Sequence, residues 1–183
     1  MSRACTQSVF TAAALLMFVC NCFALVSQDQ RRLISGDQGR GSLSEVRTKK
    51  RALLVVSRAP IIDTQDNERA IVESVLRADP QAKRYQLAYG TISKRLNNYV
   101  NKYKSMSSAT QLSDADYIIF FNVLEYHTVL NAVYPYGELF VIVKGTPEGQ
   151  KPPRVVWKSK KVQWAGDAIQ DLLRDLKTMR GES

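Results

Sequence analysis

Tyr117-Ile118-Ile119-Phe120-Phe121-Asn122-Val123-Leu124 is the stretch on which the fold turns. A strand with one wet face alternates apolar and polar residues, because successive side chains point to opposite faces. This run is apolar on both parities, so both of its faces must be covered. That makes Asp116–Tyr126 the best candidate for a central strand. Leu139–Val143 (Leu-Phe-Val-Ile-Val) has the same character and predicts a second buried strand.

Working outward, Ala52–Ser57 is short, apolar and β-branched, and predicts a first strand. Asp63–Asn67 reads as a polar turn. Glu68–Ala78 reads as a helix, with Ile71/Val75 and Val72/Leu76 at i,i+4, and Asp79-Pro80 stops it. Arg84–Tyr89 alternates Tyr85, Leu87 and Tyr89, which predicts a strand. Thr91 is placed to cap the next helix, whose stripe is Ile92, Leu96, Tyr99, Val100 and Tyr103. Ser105–Ser113 reads as a polar connection, and Thr146–Pro153 as a long turn rich in proline and glycine. Arg154–Trp164 predicts a third, lysine-rich strand that suits a sheet edge. The last helix starts near Asp167, carries Ile169/Leu172/Leu173/Leu176, and stops at Gly181.

The predicted order is β-α-β-α-β-β-β-α. The fold class is α/β (α+β): a two-layer sandwich on a mixed sheet, with an antiparallel three-strand meander and helices packed on one face. Residues 51–180 form the single domain and 181–183 a tail.

Ala115-Asp116-Tyr117, the pair Gly137–Lys144 with Arg154–Lys160, and the closing helix Asp167–Arg180 resemble small exported bacterial α/β domains. The TolB amino-terminal domain and the curli-assembly lipoprotein are of this type. The likeness spans about residues 114–180. It implies a non-catalytic part of an envelope assembly, and no binding residue carries over from it.

The amino terminus concerns destination. Arg3 precedes an apolar run over residues 9–26, and Ser27–Arg32 turns polar at once. This order reads as an export signal over residues 1–26, with cleavage after Ala24 as the first expectation. An uncleaved anchor and lipid attachment at Cys20 or Cys22 are the alternatives, and membrane contact is expected only through residues 9–26 in those cases. Residues 27–50 read as a flexible polar linker, with too few apolar residues to offset the entropy of ordering. The expected localisation is periplasmic or secreted.

Cys5, Cys20 and Cys22 are the only cysteines. The domain itself can form no disulfide, thiol nucleophile or thiolate metal site. His127 is the only histidine, which excludes a multi-histidine metal centre. No metal and no cofactor is expected. Asp63, Asp66 and Glu68, with Asp114 and Asp116, keep open an alternative as a small carboxylate-dependent hydrolase. The same residues suit helix capping, and the composition leans away from an enzyme.

Lys and Arg number 26 against 17 Asp and Glu, a net charge of +9. Lys94, Arg95, Lys102 and Lys104 form a basic helix face that suits solvent, phosphates or an acidic envelope polymer. Export disfavours a nucleic-acid partner. Tyr126–Gly137 joins the two strongest strands and is rich in Tyr and Val. Either the strands run on and turn near Asn131, or the segment is an exposed apolar rim that meets a partner. Tyr126, His127, Tyr134 and Tyr136 are the candidate binding residues. The function expected is a non-enzymatic exported module that binds a protein or envelope component.

Overall fold

A computed structural model describes residues 41–57, 68–77, 87–146 and 151–183. Asp63 and Asp66, the export segment and most of the expected linker lie outside the described residues. The elements are β1 (Arg51–Val56), α1 (Glu68–Arg77), α2 (Leu87–Tyr103), β2 (Ser107–Ala109), β3 (Tyr117–Val129), β4 (Ala132–Val143), β5 (Arg154–Lys158), β6 (Gln163–Trp164) and α3 (Ala165–Arg180). The sheet runs β2-β1-β3-β4-β5, with β6 also paired to β4. β1 is parallel to β2 and β3, and β4 is antiparallel to β3, β5 and β6.

The mixed α+β sheet with its antiparallel meander is as expected. β3 is the central strand, and the lysine-bearing β5 stands at an edge. Its two parities feed two separate cores. Tyr117, Ile119, Phe121 and Val123 join Leu139 and Val141 beneath Ile92 and Leu96 of α2 and Ile169, Leu172 and Leu176 of α3. Ile118 and Phe120 meet Phe140, Ile142 and the α1 residues Ile71, Val72 and Val75. In this sandwich α2 and α3 form the helical layer, while α1 covers part of the opposite face. The double-parity apolar pattern requires that second cover.

Four local differences have physical causes. Leu87, Ala88 and Tyr89 begin α2 rather than a strand, and Thr91 is an exposed residue inside the helix. Tyr89 lies three residues before Ile92 and seven before Leu96, so it extends the helical stripe by a turn. Ser107–Ala109, expected in a connection, adds β2 to the sheet edge by backbone pairing with β1, and Ala109 packs against the second core. The expected third strand is split into β5 and β6. Residues 41–50, expected in the linker, pack on the domain. Ser42 and Glu45 form a capping box over Leu43–Val46, and Val46 is fully buried. The Glu45 carboxylate pairs with Arg154. Arg180, at the end of α3, donates to the carbonyls of Val46 and Lys49.

Asp116 fixes the start of the parallel β1–β3 pair. Its Oδ2 accepts from the backbone N–H of Arg51 at 2.9 Å and of Lys50 at 3.1 Å. The Arg51 amide, ahead of the Lys50 amide and the nearby cations, holds this carboxyl below the usual carboxylate range. The folded value is depressed, so the stabilisation is present above the unfolded value and is lost as pH falls through the folded one. Asp116→Asn is expected to cost about 1 kcal/mol at neutral pH. It is also expected to flatten the loss of stability below about pH 4. Denaturant melts of both proteins across that range check this.

Candidate functional site

The core stops where β3 and β4 do not. Asn122 and Glu138 are paired across the ladder, and both are buried. Ser57 Oγ donates to Asn122 Oδ1 and accepts from the N–H of Val123, while Lys158 Nζ lies 3.2 Å from Glu138. These polar groups mark the upper rim of the hydrophobic core. Above them the two strands continue as a projecting hairpin, paired as far as Val129 and Ala132. Strand continuation with a turn at Leu130-Asn131 is therefore the arrangement of Tyr126–Gly137. A β3 bulge between Val123 and Glu125 sits at its base.

The hairpin is also an exposed apolar rim. Tyr126, Val129, Val133 and Tyr134 are each about half exposed, and Leu130 at the tip is 97% exposed. No Asp, Glu, Lys, Arg or His occurs from Thr128 to Gly137. Leu130 and Asn131 both have positive φ, 49° and 63°. A two-residue turn of this hand matches the twist of the strands, but it favours Asn and Gly. Leucine pays for its Cβ there, and it gains no burial in return.

Cross-strand pairing collects the aromatic residues. His127 stands opposite Tyr134 and Glu125 opposite Tyr136. β6 brings Trp164 beside Tyr136. The Trp164 ring meets His127, Tyr134 and Tyr136 edge-on, at centroid distances of 5.4, 5.6 and 5.3 Å. Such contacts are the favoured geometry for aromatic quadrupoles. His127 Nε2 lies 2.8 Å from a Glu125 carboxylate oxygen. Of the expected binding residues, His127, Tyr134 and Tyr136 come together. Tyr126 alternates with His127 along β3 and pairs with Pro135, so it belongs to the other face. Trp164 is the residue that sequence reasoning missed.

A cavity of about 440 Å³ opens beside this cluster. Val129, Tyr134, Pro135 and Trp164 form one wall, Thr91 and Arg95 of α2 another, and Ala165–Asp167 at the start of α3 the third. A Cβ at Gly166 would lie 3.4 Å from the Arg95 guanidinium, an ordinary contact with the end of a flexible side chain.

The expected basic residues divide. Arg95 and Lys102 line a second cavity of about 450 Å³ along the α2–α3 seam, with Lys177 and Arg174 supplied by α3. Lys94 and Lys104 are exposed but do not line it. Lys102 and Lys177 both stand over the Tyr103 ring, at 4.8 and 5.4 Å. Their hydrogen bonds, that of Lys102 first, hold the Tyr103 hydroxyl below its ordinary range. Buried Tyr99 behaves oppositely: desolvation and its bond to Glu182 push it up to about 12.

Of the carboxylate candidates, Asp63 and Asp66 lie outside the described residues, and the others have local roles. Asp116 is engaged by backbone amides, and the exposed Asp114 accepts from Ser113 Oγ. Among the described residues, no three His, Cys, Asp or Glu side chains are grouped to hold a metal ion. No described helix is long and apolar enough to cross a membrane.

No family model matches the chain, and no curated protein matches it. Among solved structures it is similar to a variant of the PelC dodecamer from Paraburkholderia phytofirmans, at 13% identity. That alignment covers 81% of this chain and 89% of the other, with a TM-score of 0.29. A score of that size carries no argument about fold or function, and the functional reading rests on this chain's own residues.

Proposed function

We propose that the chain is an exported, non-enzymatic α/β module that binds a protein partner through the projecting β3–β4 hairpin. Leu130 carries this reading. It is 97% exposed, apolar, and held at φ 49° where Asn or Gly would be less strained. A strained apolar residue at a fully exposed tip fits an anchor that is buried only in a complex. Val129 and Val133 widen the apolar contact. Tyr134 and Tyr136 add area at low entropy cost, and Trp164 holds them in place beforehand. Export rests on the basic-apolar-polar order of residues 1–32, outside the described residues.

A photo-crosslinking residue at position 130 tests the reading, with one at exposed Asn97 of α2 as control. A protein adduct of discrete mass is expected at 130 and none at 97. No protein adduct at 130, or equal labelling at both positions, would overturn it. Flotation of the protein with lipid vesicles, abolished by Leu130→Asp, would replace the protein partner with a lipid surface.

A further inference from the structure

The two cavities adjoin at Arg95, which lines both, and the two together are termed the groove. α2 and α3 run side by side in the same direction. Thr91 and Ala165, early in each helix, line the first cavity, and Lys102 and Lys177, late in each, line the second. At 1.5 Å per residue the groove follows α2 for about 16 Å. Its upper end is aromatic, with Trp164 and Tyr134. Its course is cationic, with Arg95 and then Lys102 and Lys177. We infer that this groove binds an acidic polysaccharide, with a sugar ring against Trp164 and Tyr134 and carboxylates on Arg95, Lys102 and Lys177.

Three observations favour a ligand over a merely solvated basic surface. First, the cations come from two helices: the ammonium groups of Lys102 and Lys177 each lie against the Tyr103 ring, 4.8 and 5.4 Å from its centroid. Second, two of the three α3 acids are committed elsewhere, and the third, Asp167, lines only the upper cavity. Asp171 accepts from Gln163 Nε2, Asp175 accepts from Trp157 Nε1, and both pair with Arg174. Among the described residues, Arg95, Lys102 and Lys177 make no ion pair with a carboxylate. Third, the cations lie along a track that begins at an aromatic wall, which suits a chain with both flat apolar faces and acidic groups.

An acidic peptide fits less well. The groove is walled by helices, so it offers no strand edge for an extended backbone to pair with. A single-stranded nucleic acid would stack successive bases on successive aromatic rings. Here Trp164 and Tyr134 stand at one end, while at the other Tyr99 is buried and the Tyr103 ring lies under the two lysines, so no run of open rings follows the track. Arginine also offers the planar fork that matches a carboxylate.

The test is titration calorimetry of the purified protein with tetragalacturonate. Its methyl ester, a short poly-glutamate and a single-stranded oligonucleotide are the comparison probes. Tetragalacturonate is expected to bind, and the neutral ester to bind at least tenfold more weakly. Lys102→Glu with Lys177→Glu is expected to cut affinity at least tenfold, whereas Lys104→Glu, outside the groove, changes it less than twofold. Arg95→Gln supplies an independent single variant, and thermal melts confirm folding of each. Absent binding, equal binding of the ester, or insensitivity to Arg95→Gln would overturn the proposal. Equal or tighter binding of poly-glutamate or the oligonucleotide would also overturn it, assigning the surface to another polymer.

Discussion

Gly137→Ala is expected to destabilise the domain by about 3 kcal/mol, at the upper end of the overpacking range. Gly137 faces Val123 across the β3–β4 ladder, at the base of the hairpin. A Cβ built on it would lie 2.0 Å from the carbonyl oxygen of Asn122 and 2.9 Å from its carbon. Both are backbone atoms of the central strand, so no side-chain rotation relieves the clash. The strands must separate at Asn122, Val123 and Glu138, where the buried polar groups depend on close pairing. Opening there exposes polar groups that cost free energy when left unsatisfied. Against a total stability of about 5–15 kcal/mol, the loss is large. Denaturant unfolding measures it, and the hairpin above should lose its fixed display as well. A change below about 1 kcal/mol would show that the ladder can yield at this point.

The parts of the fold legible in the sequence are those whose patterns report burial. Phe120 and Phe121 lie on opposite faces, and both are fully buried. The consecutive apolar run announces this without any tertiary information. Gly181 is equally legible: its φ of 70° ends α3 as a left-handed cap. Leu87–Tyr89 was not legible, because Tyr89 satisfies a period of two with Leu87 and a helical period with Ile92. Only packing against the sheet separates those readings. Ser107–Ala109 carries no pattern at all, since an edge strand of this length pairs through its backbone. The Ser42-x-x-Glu45 capping box is a real signal in the expected linker, and it foretells the ordered turn at Val46.

The site was legible in part for a related reason. His127, Tyr134 and Tyr136 lie close in sequence, on two strands joined by a short turn. Their meeting follows once the turn is placed at Asn131. Trp164 reaches them through β6, and its position depends on how residues 159–162 turn. Likewise, Lys177 and Arg174 read as ordinary charges late in a helix. Their convergence with Arg95 and Lys102 comes from the parallel alignment of α2 with α3, which no local pattern encodes.

Replacing Tyr134 and Tyr136 together by serine tests the hairpin as a contact surface most directly. Neither ring belongs to a core cluster, and Tyr134 is 46% exposed. Each gives up an edge-on contact with Trp164, worth about 0.5–1.5 kcal/mol. The domain should therefore remain folded with a modest loss of stability. Capture of the protein crosslinked through position 130 should weaken by about 2 kcal/mol or more, roughly thirtyfold. Unfolding and capture are to be measured on the same double variant. The account predicts a folded protein with capture reduced at least thirtyfold. Unchanged capture by a folded variant would contradict it, and so would a loss of stability of about 3 kcal/mol or more, which would make these rings part of the core.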